Sequence, residues 1–261
     1  MSQWAIISGI EGNLTAYEAV LADLKRQKQT VDELYILGDA IAPTPESQKV
    51  IQRLKSPRIG ELIPHICQGW WEEQLLILHC LGRTAEPTEL IDEYGMEMTK
   101  TLWDAIPRSE IEWVRSLDFG FFELDCLLIH GSSVSVSDKL TPDTSPIQML
   151  DRLMRMDANT LFCGRSGQAF EYEIQQGEVT SSLTALDRIH SPQAVLVKPR
   201  RIVGVGNVGR ISGRATYTLY NPYTNLVEFK MVRYGSGKGF QTIKSQLKTS
   251  GTQFKRIKPH N

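Results

Sequence analysis

The chain has 261 residues, 41% of them hydrophobic and 23% charged, and a formal net charge of −1. This is enough apolar content for a sizeable core, and the length suits one large α/β domain or two small ones. No run reaches the ~18 apolar residues that cross a bilayer, and the N-terminus enters a strand-like run without a basic region or cleavage-like site, so the expected location is the cytoplasm.

In chain order, the apolar run Trp4–Ile7 predicts a short buried strand. A small-residue turn, "SGIEGN" at 8–13, follows it. Leu14, Tyr17, Val20, Leu21 and Leu24 then recur at helical spacing, with Glu18, Asp23, Lys25 and Arg26 between them. "ELYILGDA" reads as a second strand ending at Gly38 and Asp39. Proline-rich "APTPES" makes a loop and cap before a second helix over 46–55. "LIPHICQGWWEEQ" predicts a third strand running into a turn. Such a βαβαβ order implies a largely parallel sheet with right-handed crossovers.

Residues 72–117 read as mostly helical, broken near 82–87 and at Ile106 and Pro107. "FFELDCLLIHGSS" is a hairpin-like pair ending in His130, and "NTLFCGRSGQAF" is another strand followed by a loop. From about residue 170 the pattern turns to β, through "EYEIQQGEV", "AVLVKPRRIVGVGN", "RATYTLYNP" and "LVEFKMVRY". The end of the chain, from Gly235, is polar and rich in Gly, Ser, Thr and Lys. The expected division is a folded domain over 1–234 and a basic, flexible or loosely docked tail over 235–261.

Cys67, Cys80, Cys126 and Cys163 show neither a CxxC pair nor finger spacing, and three of them lie in or beside apolar runs, which predicts reduced core thiols. The charge near zero hides a division. Residues 1–187 carry a balance of −14, and 188–261 a balance of +13 with Glu228 as the single acid. The basic third either neutralises the protein's own acidic surface or contacts an external polyanion, such as nucleic acid, or an acidic partner. Few aromatics (Tyr234, Phe240, Phe254) interleave the basic end, which argues against base stacking.

Parallel sheets bind ligands beyond the carboxyl ends of their strands. The informative positions are therefore the turns after each apolar run. "GVGNVG" at 204–209 matches GxGxxG, but "RISGRATYTLY" after it alternates like a strand, and the pyrophosphate fingerprint needs a helix there. Asp39 at a strand's end suits a metal or general-base role as well as a turn carboxylate. His130 has the same two readings.

Taken in order, "GNLTAYEAVLADL" after a strand-end turn, "LGD", "GWWEEQ", "LLIHGS", "FCGRSGQAF" and "GVGNVGRISGRATYTLY" resemble the calcineurin-like metallophosphoesterases, most closely their small bacterial and archaeal phosphodiesterase branch. The resemblance spans about residues 3–234. It implies an α/β sandwich of two mixed sheets flanked by helices. It also implies two divalent metals (Mn, Fe or Zn), about 3.5 Å apart, whose bridging hydroxide attacks a phosphate ester.

Carried over by position, the metal-binding aspartate of the first turn falls on Gly9 and its histidine on Glu11. The bridging aspartate is Asp39. The asparagine ligand falls on Trp70 and the catalytic histidine on Trp71. His130 is kept, the last two histidines become Arg165 and Gly167, and the late loop's serine becomes Asn207. Asp39, His130 and Glu11 are too few for a two-metal site, so no metal and no catalytic set are expected.

The expectation is a degenerate scaffold acting in binding or regulation, with Arg165 paired to Asp39 or Glu11 and Trp70 or Trp71 plugging the cleft. Arg165 would then be the contact for a small anionic ligand. The alternatives are a reduced, one-metal phosphoesterase site on Asp39, His130 and Glu11, and polyanion contact through the basic end.

Overall fold

A computed structural model describes residues 3–84, 86–174 and 199–235, together with the backbone of four strand segments between 175 and 198. The apolar run after the N-terminus becomes β1 (Trp4–Ile7), which lies parallel to β2 (Glu33–Leu37); β2 in turn lies parallel to β3 (His65–Cys67). The late strands β13 (Arg214–Asn221) and β14 (Leu226–Arg233) form a hairpin, and β13 pairs antiparallel with β1. The first sheet therefore runs β14-β13-β1-β2-β3. It is mixed rather than largely parallel, because the chain returns at its far end to cover the open side of β1.

The second sheet runs β4-β5-β6-β12-β7, from β4 (Gly120–Glu123), β5 (Cys126–Ile129), β6 (Thr160–Cys163), β7 (Ala169–Ile174) and β12 (Arg200–Val205). Its three central strands are parallel and both edges antiparallel. Two small antiparallel pairs complete the β-structure: β8 (Gly177–Ser181) with β11 (Gln193–Val197), and β9 (Thr184–Ala185) with β10 (Arg188–Ile189).

Period-two alternation assigns the faces. Trp4, Ile6, Tyr35 and Leu37 point at the second sheet and pack on Cys126, Leu128, Phe162 and Val203. Ala5, Ile7, Leu34 and Ile36 point outward, against α1 (Leu14–Leu24) and α2 (Glu46–Lys55). The outer face of the second sheet packs Leu127, Ile129, Leu161 and Ile202 with Met149 and Leu153 of α6 (Pro146–Met154). This is a sandwich of two mixed sheets flanked by helices.

The helical middle forms α3 (Trp70–Leu78), α4 (Thr88–Ala105) and α5 (Arg108–Arg115), which share a core of their own. The predicted turn after β3 is the start of α3. The Glu72 side chain accepts the Gly69 N–H at 2.9 Å and opens the helix one residue later, at Trp70. Cys67, Cys126 and Cys163 are buried, whereas Cys80 is exposed beyond the end of α3. No described helix is long and apolar enough to cross a membrane. Of the predicted tail, only Gly235 is described; residues 236–261 lie outside the described residues.

Candidate functional site

Two turns run side by side beyond β1 and β2. Gly9 N–H donates to Gly38 O at 3.1 Å, Glu11 N–H to Asp39 O at 2.9 Å and Gly12 N–H to Ala40 O at 3.0 Å. Glu11 and Asp39 adopt left-handed φ values of 50° and 51°. For residues with a Cβ this costs roughly 1–2 kcal/mol each. Both are buried, at 3% and 0% exposure, so strained backbone and buried charge coincide.

Asp39 is held from four sides. Its Oδ1 accepts the Trp71 N–H at 2.9 Å, where α3 begins. His130 Nε2 lies 3.3 Å from Oδ2, and Arg210 Nη2 lies 3.7 Å from the same oxygen. Below it the carboxylate of Glu72, also fully buried, accepts the N–H groups of Asp39 at 2.9 Å and Ile41 at 3.0 Å. His130 Nδ1 donates to Leu37 O at 2.7 Å, since a carbonyl only accepts. Its Nε2 then needs a second proton to donate toward Asp39.

Glu11 has one dominant partner. Its Oε1 accepts Arg210 Nε at 2.7 Å and lies 2.6 Å from Nη2, a forked contact that the planar guanidinium favours. Arg210 directly follows the "GVGNVG" segment, whose first two residues end β12 and whose last four open the loop between β12 and β13. That loop is zipped onto the first turn through Val208 N–H to Ser8 O at 3.0 Å and Gly209 N–H to Gly9 O at 2.8 Å. Asn207 Oδ1 accepts the Arg210 N–H at 2.6 Å and sets the direction of the side chain.

Two glycines make the room. A Cβ on Gly9 would fall 2.4 Å from Asn207 Nδ2, and one on Gly167 would fall 2.4 Å from Arg210 Nη1. Their φ values of +64° and +70° also suit glycine. The loop thus occupies the space that side chains at both positions would need.

The opposite wall is aromatic. Trp70 and Trp71 are 0% and 2% exposed, with ring centroids 4.7 Å apart near perpendicular. Tyr94 of α4 closes on them at 5.5 and 5.0 Å. Arg165 does not pair with Asp39 or Glu11 as the sequence suggested. Its guanidinium lies over Trp70 at 4.6 Å, and its Nη2 is 3.6 Å from Glu93. The physical reason is occupancy: Arg210 already fills the space between the carboxylates, and the indole face offers Arg165 a second attractive surface.

The electrostatics follow this geometry. Burial pushes Glu11 up, and the Arg210 charge opposes that without reversing it. Burial pushes Asp39 up too, but His130, Arg165 and Arg210 outweigh it and hold the carboxyl well below its usual range. Glu72 is raised by burial and by the Asp39 charge, with its backbone donors pulling the other way. Among the described residues six buried polar atoms here have no hydrogen-bond partner: Glu11 Oε2, Asp39 Oδ2, Trp70 Nε1, His130 Nε2, Arg165 Nε and Asn207 Nδ2. Buried polar atoms in folded proteins are usually satisfied by protein, water or an ion.

The nine residues singled out from sequence are brought together by contacts, from Gly9 beside Asn207 through Glu11, Asp39 and His130 to Trp70, Trp71, Arg165 and Gly167. Sequence reasoning missed Arg210, whose signal was the charge directly after "NVG". The donor set does not fit a pair of metals. Both carboxylates face a guanidinium, and among the described residues no group of three His, Cys, Asp or Glu side chains is arranged to hold an ion.

No protein-family model and no curated protein matches the chain. Among solved structures, a hypothetical protein of Pyrococcus horikoshii OT3 is similar with a TM-score of 0.65 and 18% identity, over 95% of this chain and 93% of that one. A metallophosphoesterase from Sphaerobacter thermophilus is similar with a TM-score of 0.59 and 18% identity, over 97% of this chain and 95% of that one. The chain has the metallophosphoesterase fold.

Proposed function

We propose that this protein is a catalytically degenerate member of the metallophosphoesterase superfamily that acts by binding, as a scaffold or regulator, with Arg210 standing in for the metal charge of the cleft. The observation that carries this reading is the Arg210 guanidinium, set between Glu11 at 2.6 Å and Asp39 at 3.7 Å. A bridging-hydroxide mechanism needs cations that share a carboxylate and keep an open coordination position. A guanidinium neutralises the carboxylates but coordinates no water and does not deprotonate in the working pH range. The cleft then keeps its backbone and its charge balance without a reaction centre. Its partly buried cations, Arg165 and Arg210, suit a small anionic ligand or an acidic partner.

One observation favours a second reading, a reduced phosphoesterase site for a single Mn, Fe or Zn ion. Glu11 Oε2, Asp39 Oδ2 and His130 Nε2 are buried without a hydrogen-bond partner among the described residues, although Asp39 Oδ2 and His130 Nε2 face each other as an ion pair at 3.3 Å, and all three are metal-donor atoms. Elemental analysis of protein equilibrated with Mn²⁺, with hydrolysis of bis(p-nitrophenyl) phosphate on the same sample, separates the two. The binding-protein reading expects substoichiometric metal and no turnover above the buffer rate. Stoichiometric metal with turnover that Asp39→Ala abolishes would overturn it.

A further inference from the structure

We propose that β14 is a self-pairing edge, on which a second copy of this chain adds its own β14 antiparallel about a two-fold axis through Phe229. Among the described residues no strand pairs with the outer side of β14, which ends its sheet and is eight residues long, whereas β3 at the other end is three. Long free edges are the ones proteins must shield or use. This one carries exposed Leu226, Phe229 and Met231, at 56%, 42% and 56%.

The backbone restricts how two copies can meet. The β13–β14 register pairs Arg214 with Arg233, and one step further Tyr234 N–H donates to Gly213 O at 3.1 Å. Antiparallel ladders alternate bonded and non-bonded pairs, so even-numbered residues of β14 bond to β13. The N–H and C=O groups of Val227, Phe229, Met231 and Arg233 therefore point out from the edge. Outward groups must meet outward groups, which places the two-fold axis opposite a residue and not between two.

Three central positions remain, and the side chains choose among them. An axis through Glu228 sets two carboxylates opposite each other, and one through Lys230 sets two ammonium groups opposite each other. The axis through Phe229 sets Phe229 on the partner's Phe229 and Val227 on the partner's Met231. It also sets Glu228 opposite the partner's Lys230, twice by symmetry. Directly opposed unlike charges and apolar pairs stabilise antiparallel strands, and like charges do the reverse.

Within one copy Lys230 Nζ already lies 2.6 Å from Glu228 Oε2, so the centre of the edge is charge-balanced, with Arg233 at its end, and its lysine does not act as a shield. Val227, Phe229 and Met231 share one face, on which Val227 packs against the core between the sheets while Phe229 and Met231 stay exposed, and Val232 on the other face packs near α1. A second copy thus matches this strand in hydrogen bonding, apolar pattern and charge. One strand pair is small beside the ~1,600 Å² of a standard interface, so the expected dimer dissociates in the micromolar range.

Sedimentation velocity of the full chain from about 1 to 200 μM tests this. A reversible monomer–dimer equilibrium is expected. Glu228→Lys, at a half-exposed position, should weaken association about tenfold or more by opposing two lysine pairs. Glu228→Lys with Lys230→Glu restores the pairing with signs exchanged and should return the wild-type constant. Three results would each overturn the proposal: a monomer at every concentration, a dimer indifferent to Glu228→Lys, or a double variant as weak as the single one. Thermal melts of all three proteins separate lost association from lost folding.

Discussion

The two walls of the cleft are closed by different physics. On the side of β1 and β2, Glu11 and Asp39 remain charged or chargeable and are balanced by Arg210 through directional, short contacts. On the side of α3 and α4, Trp70, Trp71 and Tyr94 meet as packed rings, with Arg165 laid over Trp70. The buried carboxylates at the strand ends are stabilised by a countercharge. The tryptophans are stabilised by volume and dispersion. One wall should therefore depend on pH and the other should not.

Substitutions can break that contrast. The largest loss belongs to the packed wall: Trp70→Ala should lower unfolding free energy by about 4 kcal/mol in urea titration, by the same amount at pH 5 and pH 8. A loss below about 1 kcal/mol would mean that the rings only cover the cleft.

Arg210→Met should cost about 3 kcal/mol at pH 8, because two buried carboxylates lose their countercharge. The sign of its pH dependence follows from Glu11. Glu11 sits above its ordinary value even beside Arg210, and without Arg210 it rises further. The folded variant then binds a proton that the unfolded chain releases, so its stability increases as pH falls from 8 toward 5. Asp39 acts in the opposite sense in the wild type. Held low, it contributes stability that is present above the ordinary carboxylate range near pH 4 and is lost as pH falls further. A pH-independent cost for Arg210→Met would remove the charge-balance account, and recovery by an added Glu11→Gln would sharpen it.

The smallest effect is expected at the hinge between the walls. Arg165→Met should cost about 1 kcal/mol, since it loses a stacked cation and a pair with a half-exposed glutamate. A loss as large as that of Arg210→Met would return Arg165 to the role the sequence suggested.

Much of the architecture was legible in local pattern. The second helix spans Glu46–Lys55 as the proline-rich loop and cap before it predict, and β1, β2, β5 and β6 fall on the apolar runs. The start of α3 at Trp70, where the sequence predicted a turn, was not legible, because tryptophan at a helix start gives no cap signal, and the cap comes from Glu72 two residues inside the helix. The charge division found a partial physical answer. Arg200, Arg201 and Arg210 from the basic third pair with Asp157, Glu171 and Glu11 of the acidic part.

The order of strand-end turns in the sequence determined which fold this chain adopts and which residues line one cleft, because parallel strands deliver their C-terminal turns to a common edge. Only the tertiary structure decided which cation fills that cleft. Arg165 and Arg210 are equivalent as letters, each following a glycine-containing turn. The backbone bonds of Val208 and Gly209 to the first turn aim Arg210 at Glu11, while Trp70 draws Arg165 aside. Contacts between residues some 200 positions apart set that choice, and no local pattern carries them.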